Sequence, residues 1–159
     1  MIQIHNGNLF EKYITLNTPP DALHIIVHGC NAQGKMGSGF AKELRTRFPV
    51  AYTEYSEHIS MIGTDNVLGT VSYVAIDEKL IIANAITQQY YGYDSKKYVS
   101  YDAVDTAFKN LNAFCDCDKI IHVHFPKIGA DLGGGNWNVI KEIIDGSLIN
   151  AHKHLYILN

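Results

Sequence analysis

No stretch of this chain is apolar for long enough to cross a membrane as a helix. Its opening residues, Met1 to His5, lack the basic-then-apolar order of a secretory leader. Basic residues are not in excess: 13 Lys and Arg stand against 16 Asp and Glu, a formal charge of −3. The electrostatic footprint of a nucleic-acid binder is therefore missing. Cysteine is scarce and odd in number, three in all, which leaves no disulfide framework. Internal repeats, linkers and low-complexity segments are lacking too. The expectation is a soluble, cytoplasmic domain with neither a membrane nor a nucleic-acid partner. With 159 residues, 47% of them hydrophobic, the chain is long enough for one core and too short for two. A single domain over residues 1–159 follows.

Soft metal ligands are present, in Cys115, Cys117, His122 and His124, but not in a metal-binding pattern. Cys-x-Cys lacks the usual two-residue spacer, and the stretch from Lys119 to Phe125 alternates as a strand. That alternation puts His122 and His124 on one face and Ile121, Val123 and Phe125 on the other. No metal site and no cofactor are expected.

Strand and helix patterns alternate along the chain. Gln3 to Asn6 and His24 to Gly29 read as strands, the second apolar enough to lie inside a sheet. Phe40, Ala41, Leu44 and Phe48 make a helical stripe that Pro49 ends, and Pro49 can start the next helix, which carries Tyr52, Tyr55 and Ile59. Val71 to Ile76 and Leu80 to Ile86 form a hairpin across Asp77-Glu-Lys79. Ser100 caps a helix with Tyr101, Val104, Phe108 and Leu111 on its buried side. A strand from Lys119 to Phe125 follows. Asn136 caps a helix bearing Trp137, Ile140, Ile143 and Ile144 that Gly146 closes, and Leu155 to Leu158 is the last strand. The class is α/β, with a mixed sheet covered on both faces.

Two stretches share one design of apolar strand, glycine-rich loop and helix. The first runs His28-Gly-Cys-Asn-Ala-Gln-Gly-Lys-Met-Gly-Ser-Gly39, the second Pro126-Lys-Ile-Gly-Ala-Asp-Leu-Gly-Gly-Gly-Asn-Trp137. In an open α/β sheet, ligands bind beyond the carboxyl ends of the strands. Two helix N-termini there would present unpaired N–H groups and positive dipole ends, with glycine admitting phosphate oxygens to the backbone. Neither loop is a common nucleotide motif: Gly34-Lys-Met36 is not a Walker loop, and Gly37-Ser-Gly39 continues as Phe-Ala-Lys instead of completing G-x-G-x-x-G. One such loop alone reads as a tight turn. Two of them point to a diphosphate ligand.

His28-Gly-Cys-Asn31, Met36-Gly-Ser-Gly-Phe-Ala41, Asn84-Ala-Ile-Thr-Gln88 and the second loop together resemble the macrodomain family. Within it they are similar to compact phage-, yeast- and chromatin-remodeller-like members that bind ADP-ribose, some of which remove phosphate from ADP-ribose 1″-phosphate. The likeness runs from Gly7-Asn-Leu-Phe10 to the final strand. It implies a three-layer α/β/α macrodomain with a mixed, mostly parallel central sheet. It also implies that Asn31 bonds the distal ribose, that Gly37 and Gly39 let that sugar approach, and that Ile128 to Gly135 wraps the diphosphate through backbone N–H groups. Asn8 stands where the family usually has an aspartate for the adenine amino group; its amide oxygen can accept the bond without the charge.

The ligand contacts marked by this resemblance are Asn8 and Leu9 after the first strand, and Asn31, Met36, Gly37, Gly39 and Phe40 in the first loop. Thr87 and Gln88 follow in the Asn84 motif. The second loop adds Ile128, Gly129, Ala130, Leu132, Gly133, Gly134, Gly135 and Asn136. Relatives that strip ADP-ribose from glutamate use a lysine and an aspartate where this chain has Gln88 and Gly133. Gln88 is no nucleophilic amine, so that route is disfavoured. His28 and Asp131 remain as candidates for proton chemistry. His28 can protonate a leaving sugar oxygen or orient a water, or simply pack at a strand end. Asp131 can hold a nucleophilic water, bond a ribose hydroxyl, or cap a turn. Lys35 and Lys127 can neutralise phosphate, and the tyrosines at 90, 91 and 93 can line the pocket. The expected activity is hydrolysis of ADP-ribose 1″-phosphate. The alternatives are a reader of free or protein-linked ADP-ribose and an ester-type de-ADP-ribosylase.

Overall fold

An apolar run with no polar alternation belongs in the middle of a sheet, and residues 25–27 are at most 1% exposed. The structure, a computed structural model, describes residues 1–158. Its strands are β1 (Ile2–Asn6), β2 (Leu23–Asn31), β3 (Val71–Ala75), β4 (Leu80–Gln88), β5 (Ile121–Phe125) and β6 (His152–Ile157). They form one sheet in the order β1-β6-β5-β2-β4-β3, parallel throughout except for the antiparallel β3–β4 hairpin.

The helices are α1 (Leu9–Lys12), α2 (Gly39–Arg47), α3 (Pro49–Ile62), α4 (Tyr101–Phe114) and α5 (Trp137–Ser147). On one face, Ile25, Val27, Val123 and Phe125 pack beneath Val104, Phe108 and Leu111 of α4 and Ile140 and Ile144 of α5. On the other, Ile26 and Ile82 pack with Leu9 and Phe10 of α1, Leu44 of α2 and Ala51 of α3. Phe48 separates α2 from α3 at φ −131°, ψ 75°, because a residue before proline is driven out of the helical region. Pro49 then occupies the first helical position, where its missing N–H costs nothing.

The central sheet is mixed and mostly parallel, as the sequence suggests, with helices on both faces. Three local readings change. Strand β6 begins at His152, not Leu155: His152 and His154 are polar yet join the sheet through an imidazole array described below. Helix α5 passes through Gly146 to Ser147. Buried Leu148, whose N–H bonds Ile144 O at 2.9 Å, takes over the end expected of a left-handed glycine. Between β1 and β2, the one-turn α1 and the 3-10 turn Tyr13–Thr15 are too short to leave a periodic stripe in the sequence.

Candidate ligand-binding site

Because β2, β4 and β5 are parallel neighbours, their carboxyl ends open on one edge of the sheet, and the connections that follow them enclose a cleft of about 400 Å³. Both glycine loops line it. The first leads into α2, whose N-cap Ser38 makes no side-chain bond to the helix; Ser38 Oγ instead accepts from Tyr93 OH at 3.1 Å. The amino end of α2 is therefore left with unfilled N–H groups beside the cleft, the arrangement that attracts anions. In the second loop, the N–H groups of Asp131, Leu132 and Gly133 have no acceptor among the described residues. Those of Ala130, Gly134 and Gly135 are spent on Lys127 O, Asp131 O and Gly129 O. Only part of that loop is free to hold an anion.

The two sets of glycines serve opposite ends. A Cβ on Gly37 would have nothing within 4 Å, and Gly39, at φ +60°, also faces open space. A Cβ on Gly133 would lie 2.7 Å from Gly129 O, and one on Gly134 would strike the Lys96 carbonyl. Glycine keeps the first loop empty and lets the second close on itself.

Asn31 organises the first loop. Its Oδ1 accepts from Gln33 N at 3.0 Å, Lys35 N at 3.2 Å and Tyr55 OH at 3.1 Å, while its Nδ2 donates to Lys35 O at 2.8 Å. One amide hydrogen is left over for a ligand.

Behind the cleft lies a buried polar group. Asn84 Nδ2 donates to Ala51 O at 3.2 Å, which fixes Asn84 Oδ1 as an acceptor, 2.7 Å from His28 Nε2. The His28 proton is thus on Nε2 and committed to Asn84. Burial pushes the His28 pKa down to about 4, the Asn84 bond opposing it only in part, so the ring is neutral. Cys30 Sγ is 3.4 Å from His28 Nε2, but burial pushes the thiol well up, so it supplies no thiolate.

Residues 27–144, most of the chain, match the sequence profile of the Macro domain. This chain belongs to the macrodomain family. It is similar to a protein of Candida albicans named ADP-ribose 1″-phosphate phosphatase, at 26% identity over 99% of this chain and 100% of that one. It superimposes on a macrodomain protein of Streptomyces coelicolor with a TM-score of 0.77, at 25% identity and 99% coverage of both chains. Its fold is also that of part of a DarTG protein of Thermosipho africanus solved in complex with ADP-ribose (TM-score 0.72, 13% identity, 99% of this chain, 41% of that one).

Around the macrodomain's cleft the structure gathers His28, Asn31, Met36, Gly37, Gly39 and Phe40 from the β2 side. It adds Gln88 from β4, and Ile128, Gly129, Asp131, Leu132 and Gly133 from the second loop. The Asp131 carboxylate stands at the exposed rim with no hydrogen bond or ion pair among the described residues. Lys35 and Lys127 line the cleft, as do Tyr91 and Tyr93.

The other expected contacts are not among the residues that line this cleft. Asn8 caps α1, its Oδ1 accepting from Phe10 N at 2.8 Å and its Nδ2 donating to Glu43 Oε1 at 3.2 Å, and Leu9 is in the core. Asn136 Oδ1 caps α5 at Asn138 N, 2.9 Å. Ala130, Gly134 and Gly135 sit on the limb whose N–H groups are spent. Thr87 is buried, and its Oγ1 has no partner among the described residues. Arg45 and Tyr52 line the cleft without having been foreseen; the Arg45 guanidinium lies 3.7 Å from the centroid of the Tyr52 ring. The signal for Arg45 was its place four residues after Ala41, on the same side of α2. Among the described residues no three His, Cys, Asp or Glu side chains converge as metal ligands.

Proposed function

We propose that this macrodomain binds ADP-ribose and hydrolyses ADP-ribose 1″-phosphate to ADP-ribose and inorganic phosphate. The observation that carries the reading is the pair of uncommitted N–H sets facing one cleft, at the start of α2 and at Asp131 to Gly133, with open space over Gly37 between them. Such donors suit a diphosphate bridging the loops and stabilise the added charge as a phosphoryl group is transferred. The name carried by the Candida albicans relative supports the same substrate.

In this reading water attacks the 1″-phosphorus, the bond from phosphorus to the sugar O1″ breaks, and O1″ takes a proton from solvent to end as a hydroxyl on ADP-ribose, the proton lost by the attacking water being returned to solvent. Asp131, whose carboxylate is free and at the rim, holds the water and takes its proton. His28, with its one proton committed to Asn84, offers only Nδ1, as an acceptor for the distal ribose or an ordered water. The committed proton of His28 also favours a second reading, a binder of free or protein-linked ADP-ribose without turnover. Phosphate release from ADP-ribose 1″-phosphate, measured beside calorimetric binding of ADP-ribose on one preparation, decides. Binding with no release above background selects the reader, and absence of both ends the proposal.

A further inference from the structure

Six of the eight histidines, at 5, 24, 122, 124, 152 and 154, lie on strands and away from the cleft. Register sets His24 beside His122, His122 beside His152, and His124 beside His154, all on the sheet face that carries Ile26. His5 stands beside Tyr156 on the same face. The nitrogens of five of them, His152 being only stacked on His122, join with the Tyr156 hydroxyl in two chains that run obliquely across the strands. In one, His122 Nδ1 is 2.9 Å from His154 Nε2, and His154 Nδ1 is 2.9 Å from His5 Nε2, tying β5 to β6 to β1. In the other, His24 Nδ1 is 2.9 Å from His124 Nε2, and His124 Nδ1 is 2.8 Å from Tyr156 OH, tying β2 to β5 to β6. The chains lie against each other, with the rings of His124 and His154 5.0 Å apart between centroids.

These bonds exist only while most rings are neutral. Each N–H···N bond needs one proton and one lone pair, so a chain of three rings accepts one extra proton before two N–H groups must face each other. Nearby charge gives no relief. The groups acting on His24, His122, His124 and His154 are other imidazoles and, at His24, Lys79. From the 3-10 turn, Tyr13 meets His24 and His124 with its ring, and Asp77 acts on Tyr13. Among the described residues no carboxylate acts on the rings themselves. No three of these side chains converge, among the described residues, on a point where a metal ion could sit.

What the array holds is β1. This edge strand pairs only with β6, and His5 is its one side chain in the chains of imidazoles. Gly7 N bonds Ile157 O at 2.8 Å directly after it, and Asn8 then caps α1 and reaches Glu43 on α2, the helix whose start opens on the cleft. We propose that the imidazole array is an acid-operated latch: taking up protons frees β1 from β6 and, through Asn8 and Glu43, loosens the α1–α2 side of the cleft. The latch itself does not depend on what the cleft binds; its effect on ligand rests on the ADP-ribose reading.

Hydrogen exchange resolved to peptides tests it on the unliganded full chain. Between neutral pH and about pH 5, protection factors for residues 2–7 should fall at least about tenfold further than those for residues 81–86 of β4, which carries no histidine and loses protection only with the fold as a whole. His5→Gln keeps a donor for His154 Nδ1 but cannot take a proton, so it should flatten the pH dependence at β1. Equal loss at β1 and β4 would mean ordinary global unfolding and overturn the latch. So would a wild-type β1 insensitive to pH, or a His5→Gln profile like that of the wild type. Calorimetry with ADP-ribose at neutral pH is a separate arm. Failure there removes the ADP-ribose reading and leaves the latch standing.

Discussion

His28 Nε2 and Asn84 Oδ1 are 2.7 Å apart, both residues are at most 1% exposed, and the pair stands directly behind the cleft floor. A neutral amide opposite the ring leaves burial to win, so His28 stays uncharged. Asn84→Asp changes the sign of that balance by offering an anion. The His28 pKa should rise from about 4 by roughly one to three units, the usual effect of a close opposite charge. Proton NMR titration of the His28 ring follows it directly. A ring that still fails to titrate above pH 5 in a folded variant would show that the added carboxylate is itself neutral.

Gly37→Val is the clean obstruction of the sugar end. The glycine has no positive φ, and a Cβ there would meet nothing within 4 Å, so the fold should tolerate valine with an unchanged unfolding midpoint. ADP-ribose affinity should fall by more than about tenfold, since the added methyls fill space the ligand needs. Gly39→Val should also abolish binding, but at φ +60° it adds about 1–2 kcal/mol of backbone strain and lowers the midpoint too. Wild-type affinity in folded Gly37→Val would place the ligand elsewhere.

Asp131→Ala should lower phosphate release by roughly 10²–10⁴-fold, the range for a lost general base. ADP-ribose affinity should hold or rise slightly, because a negative charge near the phosphates is removed. Turnover like that of the wild type would reduce Asp131 to a turn residue.

Asn31→Ala reaches further than one ligand contact. It strips partners from Gln33 N, Lys35 N and Tyr55 OH together, of which the Tyr55 hydroxyl still has Asn31 O. Stability should drop by about 1 kcal/mol for the lost hydrogen bonds to these part-buried donors, alongside weakened binding. Urea unfolding separates the two effects. An unchanged urea midpoint would show that the loop is held by something other than this carboxamide.

Acid should destabilise the fold as a whole. Burial holds His28, His122 and His154 at about 4 in the folded chain, below their ordinary 6.5. The unfolded chain therefore binds more protons between those values. The stability they contribute is fully present above pH 6.5 and is lost as pH falls toward 4, with a slope of about 1.4 kcal/mol per pH unit for each proton taken up. Urea midpoints at a series of pH values measure it, and a flat profile through that window would contradict these shifts.

The alternation of elements and the two loops were legible in the sequence because each rests on neighbours along the chain. Apolar periodicity located β2, β4 and α4, and Ser100 and Asn136 do cap α4 and α5 through Ala103 N and Asn138 N. What was not legible depends on partners distant in the chain. Asn31 owes its hold to Tyr55, 24 residues on, and His28 owes its proton to Asn84, 56 residues on. The paired histidines at 122 and 124 and at 152 and 154 were plain to see. That three of them join two hydrogen-bonded chains follows only from the registers of β5 with β2 and β6 and of β6 with β1.

The opposite duties of the two glycine loops make them answer differently to mutation. In a library scored for both yield and ligand capture, substitutions at Gly37 should give abundant protein that captures nothing. Substitutions at Gly133 and Gly134 should be lost earlier, as chains that never accumulate, because there the added carbon meets the protein's own backbone. Two glycine-rich stretches would thus be kept as glycine by different selections, one acting on the ligand and the other on the folded chain.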